Sequence, residues 1–174
     1  FIVVLLMTAA AVCVPARGET LDRVFTLEGF ATPESVAVDP ATGLAYVSNI
    51  NADPEGYWQD TGQGFISRIT PEGRLDQLKW VESTPEFVLH QPKGMAVTGK
   101  QLFVADNTRV VSYTLDDAKP AAVYVIPGAE RLNDVAAYRG QIYVSDTATG
   151  RIHRLDLSGK EQHATIAVIE GVNG

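Results

Sequence analysis

Four polar residues open apolar segments at recurring distances along this chain: Glu34, Lys93, Asn133 and Asn173, separated by 59, 40 and 40 residues. A carboxylate brought together with amide oxygens suits a hard cation such as Ca2+ or Mg2+. The usual zinc set is not suggested, because one histidine, His90, is in reach and no cysteine is near. Lys93 is the discordant member. Its ammonium opposes a metal, pairs with Glu34 in the metal's stead, or swings outward on its long stem as lysines readily do.

The elements that must position these residues repeat with them. Pro33-Glu34-Ser35-Val36-Ala37-Val38 is followed by Leu44-Ala45-Tyr46-Val47-Ser48-Asn49 and by Phe65-Ile66-Ser67-Arg68. Pro92-Lys93-Gly94-Met95-Ala96-Val97 leads to Gln101-Leu102-Phe103-Val104-Ala105-Asp106, then Val110-Val111-Ser112-Tyr113. Arg131-Leu132-Asn133-Asp134-Val135-Ala136-Ala137 leads to Gln141-Ile142-Tyr143-Val144-Ser145-Asp146, then Arg151-Ile152-His153-Arg154-Leu155. Each unit reads as short strands joined by turns, and Val172-Asn173-Gly174 reads as a fourth beginning. A period near 40 with several short strands per unit predicts an all-β fold, a β-propeller with one four-stranded blade per unit. The fourth strands fall near 75–80, 121–126 and 164–169. An irregular β-sandwich is the alternative.

Strands alternate in direction within a blade, so the start of strand one and the end of strand two lie at the same end of the molecule. The innermost strand lines the central channel. Glu34, Lys93, Asn133 and Asn173 are therefore expected to ring one channel mouth, with Asn49, Asp106 and Asp146 on the same face. Polar groups converging on a concave end form the natural candidate site. Residues 50–63 interrupt the first unit between its second and third strands and open from that face. Long loops of this kind are often functional. Tyr57 and Trp58 within it are read as a lid over the mouth, with plain cover of the blade edge as the alternative.

Phe1 to Val14 carries no charge and is too short to span a bilayer as a helix. It fits the apolar core of a secretory signal peptide, so residues 1–18 are read as a leader cut near residue 16 or 18. The product is expected to be secreted or periplasmic, free of the membrane after cleavage. Cys13 is the sole cysteine and lies within that leader, so the mature part needs no thiol chemistry. The chain has a formal net charge of −7, and the leader holds one charged residue, Arg17. An acidic surface disfavours nucleic acid and anionic membrane as partners. Three blades cannot close a ring, so residues 19–174 are expected to be the N-terminal half of one domain. Leu21 to Leu27 reads as a further strand ahead of the first blade.

These motifs together resemble the gluconolactonase / regucalcin (senescence marker protein) family of six-bladed propellers, over essentially all of residues 20–174. Thr32-Pro33-Glu34-Ser35-Val36 matches the family's opening metal-ligand Glu. Arg131-Leu132-Asn133-Asp134 matches its substrate-contacting Arg-x-Asn-Asp motif. Asn173-Gly174 matches its second ligand. The resemblance implies a metal-dependent hydrolase of sugar lactones or related cyclic esters. Glu34 and Asn173 would hold a divalent ion, Ca2+ foremost with Mg2+ or Zn2+ as alternatives. Arg131, Asn133 and Asp134 would bind the small-molecule lactone. The implied third ligand and the catalytic base fall beyond residue 174. The repeats also resemble NHL propellers, which makes a non-catalytic periplasmic binding or scaffold propeller the second reading.

Weaker signals are set aside. Gly94 to Gln101 nearly spells a phosphate-binding loop, but it ends in Gln where Ser or Thr must reach magnesium, and it lies in a β-hairpin. His153 and His163 sit within strands and read as structural. No Gly-x-Ser-x-Gly elbow occurs.

Overall fold

The computed structural model describes residues 24–157 and 163–174. The leader lies outside these residues, so its expected cleavage does too. Regular structure among the described residues is entirely strand. Blade 1 comprises β1 (Pro33–Val38), β2 (Ala45–Asn49), β3 (Phe65–Ile69) and β4 (Leu75–Glu82). Blade 2 comprises β5 (Pro92–Thr98), β6 (Gln101–Asp106), β7 (Arg109–Thr114) and β8 (Pro120–Val125). Blade 3 comprises β9 (Leu132–Tyr138), β10 (Gln141–Asp146), β11 (Arg151–Leu155) and β12 (His163–Val168). Each blade is a four-stranded antiparallel sheet paired in sequence order. Among the described residues no helix is long and apolar enough to cross a membrane.

Side-chain alternation stacks the blades. Successive residues of a strand point to opposite faces. Leu102 and Val104 of β6 join Tyr46, Ile66, Trp80 and Tyr113 in the core between blades 1 and 2. Phe103 and Ala105 of the same strand join Leu132, Ile142, Val144 and Leu155 between blades 2 and 3. Blade 2 is thus buried on both faces, and this is why Leu102-Phe103-Val104-Ala105 is apolar without a break.

The inner strands β1, β5 and β9 pack side by side. Each carries the same irregularity at the same place. Glu34 and Ser35 together oppose the single residue Ser48, Lys93 and Gly94 oppose Ala105, and Asn133 and Asp134 oppose Ser145. Two residues facing one is a β-bulge, which bends the strand and re-aims its side chains. In blades 1 and 3 a serine hydroxyl satisfies the displaced amide: Ser35 N–H donates to Ser48 Oγ at 3.0 Å, and Asp134 N–H to Ser145 Oγ at 3.1 Å. Blade 2 has Ala105 there and Gly94 at the bulge. A methyl group on Gly94 would overlap Asp134 and come within 2.8 Å of the Asn133 carbonyl oxygen.

The strand expected over 21–27 is not present over its described part. Residues 24–27 have no regular structure, and Val24 and Phe25 are exposed. No described strand stands beside them to accept their backbone hydrogen bonds. The Phe25 ring rests instead on the turn at Gly73.

Candidate functional site

The register brings Glu34, Lys93 and Asn133 to equivalent places at the bulges of adjacent inner strands. Over them lies the 50–63 loop, which is anchored at many points. Asn51 Nδ2 donates to the Gln63 carbonyl at 3.0 Å, closing the loop's base. Thr32 Oγ1 donates to the Ala52 carbonyl, Gly56 N–H to Asp53 Oδ1, and Ser83 Oγ to the Gly62 carbonyl. Two side chains of blade 2 reach up to it: Gln91 Nε2 donates to Thr61 Oγ1 at 2.8 Å, and Asn107 Nδ2 to Asp60 Oδ1 at 2.7 Å. The loop is therefore a fixed roof that joins blade 1 to blade 2.

Lys93 is the centre of this assembly. It is fully buried, so the outward swing open to a long lysine does not occur. Its ammonium donates at 3.2 Å each to the Tyr57 carbonyl, the Gln91 carbonyl and Asn107 Oδ1. Those three acceptors match the three donors of an ammonium. The nitrogen also lies 4.0 Å from the Trp58 ring centre and 4.9 Å from that of Tyr57. The two rings meet edge to face, 5.3 Å apart. Burial pushes the Lys93 pKa down to about 8, against the opposing pull of Asp106, Glu34 and Asp60. No carboxylate is within ion-pair distance of it among the described residues.

Glu34 is half-buried. Burial raises its pKa, the charge of Lys93 pulls it back, and Asp134 adds to the rise. No hydrogen bond joins Glu34 to Asn133 or Asn173 among the described residues. Asn133 is buried within the mouth, whereas Asn173 is exposed. Gly174 lies beside the Asp134 carboxylate, with its missing Cβ position 3.7 Å from Oδ2. Arg131 is exposed and places its guanidinium 5.7 Å from the Trp58 ring centre, on a ring that also covers Lys93. Thr32, Ala52, Asp53, Pro54, Tyr57 and Trp58 line a cavity of about 490 Å³ at the roof.

Three residues placed on this face by the sequence have a different task. Asn49, Asp106 and Asp146 are buried at the ends of the second strands. Asn49 Oδ1 accepts from Ala31 N–H at 3.0 Å. Asp106 Oδ1 accepts from His90 N–H at 3.0 Å and Gln91 N–H at 2.7 Å, while Arg109 pairs with Oδ2 at 2.8 Å. Asp146 accepts from Glu130 N–H at 2.9 Å and Arg131 N–H at 3.0 Å. Burial alone would raise the Asp146 pKa, but these amide donors outweigh it and hold the carboxyl below its usual range. Each side chain ties down the segment entering its own inner strand, so its oxygens are spent on backbone amides and, in Asp106, on Arg109 as well.

The sequence missed Asn107. It sits at the turn between β6 and β7 with a φ of 55°, a conformation Asn tolerates better than most residues. It accepts from Lys93, donates to Asp60, and its carbonyl accepts the Leu132 N–H at 2.7 Å. An Asp-Asn pair at a tight turn is the signal that could have found it. His90 is partly buried in the entering segment and gives its carbonyl to Gly64 N–H at 3.1 Å. His153 is buried, with Thr165 Oγ1 3.2 Å from its Nδ1.

The described residues do not by themselves fit a divalent ion. Among the described residues no three His, Cys, Asp or Glu side chains come together as a shell. Glu34 brings one carboxylate, Asp146 is committed to backbone amides and Asp106 to backbone amides and Arg109, and the charge of buried Lys93 already acts on Glu34.

No family model matches the chain, and no curated protein matches it. Solved structures do. A nidogen/laminin complex is similar at 18% identity with a TM-score of 0.61, over 82% of this chain and 49% of that one. The virginiamycin B lyase of Staphylococcus aureus is similar at 16% identity with a TM-score of 0.56, over 78% of this chain and 42% of that one. The chain spans less than half the length of each of these two. Three consecutive four-stranded antiparallel blades and these likenesses make the fold a β-propeller.

Proposed function

We propose that these blades carry the recognition mouth of a propeller that acts on small oxygen-rich molecules. Sugar lactones or related cyclic esters are the substrate class, and hydrolysis is the reaction. The observation that supports it is Arg131 against the Trp58 ring, two residues before Asn133 at the bulge of blade 3, with Glu34 at the equivalent bulge of blade 1. An aromatic face, a guanidinium, an amide and a carboxylate together suit a ring compound rich in carbonyl and hydroxyl oxygens.

The chemistry assigned to these residues needs no step through a metal. Arg131 and Asn133 donate to the lactone carbonyl oxygen, where negative charge builds as water attacks. Glu34, its pKa raised by burial, takes the proton of that water. The water oxygen bonds to the carbonyl carbon, the ring carbon–oxygen bond breaks, and the proton passes to the departing alkoxide. The product is the open hydroxy acid. Asp134 flanks the site and orients hydroxyl groups. Action outside the cytoplasm, in the periplasm or medium, accompanies this reading.

A binding propeller without catalysis is the second reading. It is favoured by the burial of Lys93, which leaves the mouth no exposed ammonium and makes its roof rigid. The test is turnover and calorimetric binding of sugar lactones by the full-length protein, with Glu34→Gln and Arg131→Ala. Hydrolysis lost in Glu34→Gln, with binding kept, supports the enzyme. Binding without turnover in the wild type supports the second reading. Neither binding nor turnover on any sugar lactone overturns both.

A further inference from the structure

Lys93 is not used by that chemistry, yet it is the most thoroughly engaged side chain of the mouth. Its position is dictated by the repeat, at the same bulge where blade 1 presents Glu34 and blade 3 presents Asn133. A buried charge is costly unless compensated. Here three oxygen acceptors take its three protons, and two aromatic faces take its positive field. Two of these partners, the Tyr57 carbonyl and the Trp58 ring, belong to the 50–63 loop. The charged groups facing it come from three elements: Glu34 of β1, Asp106 of β6 and Asp60 of the loop.

We propose that Lys93 is the built-in cation of this mouth: its ammonium supplies, opposite Glu34, the positive charge that a bound divalent ion would supply, and the same ammonium clamps the 50–63 loop down as the roof. A buried ammonium in the neighbouring inner strand repels a second cation and acts on Glu34 through its field without an ion pair, so Glu34 is not an open ligand. Lys93 is thus a positioning residue. It fixes Trp58, and through Trp58 the shelf on which Arg131 lies. The inference rests on the mouth being the ligand site, but its test reads metal response and coupling, not lactone turnover.

The experiment is thermal melting and calorimetry of the full-length protein in EDTA and in millimolar CaCl2 or MgCl2. The variants are Lys93→Met, Lys93→Arg, Glu34→Gln and the double variant Lys93→Met/Glu34→Gln. Wild type is expected to melt at the same temperature with and without the ions and to show no binding heat. Lys93→Met lowers Tm, red-shifts tryptophan emission as Trp58 loosens, and gains a calcium-dependent rise in Tm that the added Glu34→Gln removes. The double variant recovers about half of the Tm lost by Lys93→Met, because the two charges are coupled. Lys93→Arg keeps the metal insensitivity while disturbing the roof, which separates charge from shape. A wild-type protein stabilised by calcium in a manner abolished by Glu34→Gln overturns the proposal. So does equal destabilisation of Lys93→Met and the double variant. If Lys93→Met does not fold, the wild-type, Lys93→Arg and Glu34→Gln metal responses decide it alone. A metal-insensitive, Lys93-coupled protein that ignores lactones leaves this inference standing and removes the substrate reading.

Discussion

The ammonium of Lys93 in blade 2 sits 4.0 Å from the centre of the Trp58 ring, which hangs from blade 1. That contact joins two blades across their mouth, beyond the apolar core they share. A desolvated cation–π pair is worth up to about 2 kcal/mol. Trp58→Ala should therefore cost roughly 1–2 kcal/mol in urea unfolding, and Trp58→Phe less. Ligand affinity should fall in Trp58→Ala as well, since Arg131 loses its shelf.

Lys93 also gives stability a pH signature. Its native pKa of about 8 is below the ordinary 10.5, so between these values the unfolded chain binds the additional proton. Stability contributed by Lys93 then rises as pH climbs from about 8 towards 10.5, and it is lost as pH falls back through 8. Buried tyrosines with raised pKa values, Tyr46 and Tyr113 among them, oppose this at the alkaline end, because the unfolded chain ionises first. The difference between wild type and Lys93→Met in urea midpoints, followed from pH 7 to 9.5, isolates the lysine. Wild type should gain over that window relative to the variant.

Asp146 should behave as a structural tether and not as a ligand. Asp146→Ala strips acceptors from the Glu130 and Arg131 amides. Each amide left without a partner costs about 1–3 kcal/mol, so a loss of roughly 2–6 kcal/mol is expected. Asp146→Asn, which keeps one acceptor oxygen, should lose less. Chemical denaturation reads both, and neither should alter a metal response.

Gly94→Ala tests the close approach of β5 and β9. The added methyl meets backbone atoms of Asp134 and Asn133, which no rotamer change can clear. Overpacking of this kind costs about 1–3 kcal/mol. The variant should melt lower and bind ligand more weakly, as blades 2 and 3 are pushed apart beneath Arg131.

Much of this fold was legible because each signal repeated. The alternation that sends Leu102 and Phe103 to opposite cores, the turn at Gly99 and the terminal Asp106 recur in register with Ile142, Tyr143, Gly140 and Asp146. The strand starts at Pro33 and Pro92 followed from the same register. What stayed hidden was the destination of side-chain atoms. Asp106 and Asp146 look like free carboxylates in a sequence, and only the folded path of residues 89–91 and 129–131 brings amides onto them. Among the alternatives open for Lys93, the sequence could not choose, because lysine stems usually carry the charge to water and this one does not. The enclosing rings lie 35 residues upstream, and no local pattern links Lys93 to Trp58. Over residues 24–27 the expected strand is missing for want of a neighbour among the described residues, since β-strands are stabilised by pairing more than by their own preference.

The threefold bulge carries a consequence for how such a mouth changes over time. At each bulge the extra residue takes no share in the regular ladder, so its identity is uncoupled from the pairing of the sheet around it. Blade 1 displays a carboxylate there, blade 2 an ammonium and blade 3 an amide, while the three sheets keep the same strand order and the same two-against-one register. The blade is a frame with one exchangeable slot. A single substitution per blade rewrites the charge pattern around the axis while the sheet pairing stays, and its cost falls on the roof contacts of that slot instead of on the apolar core between blades.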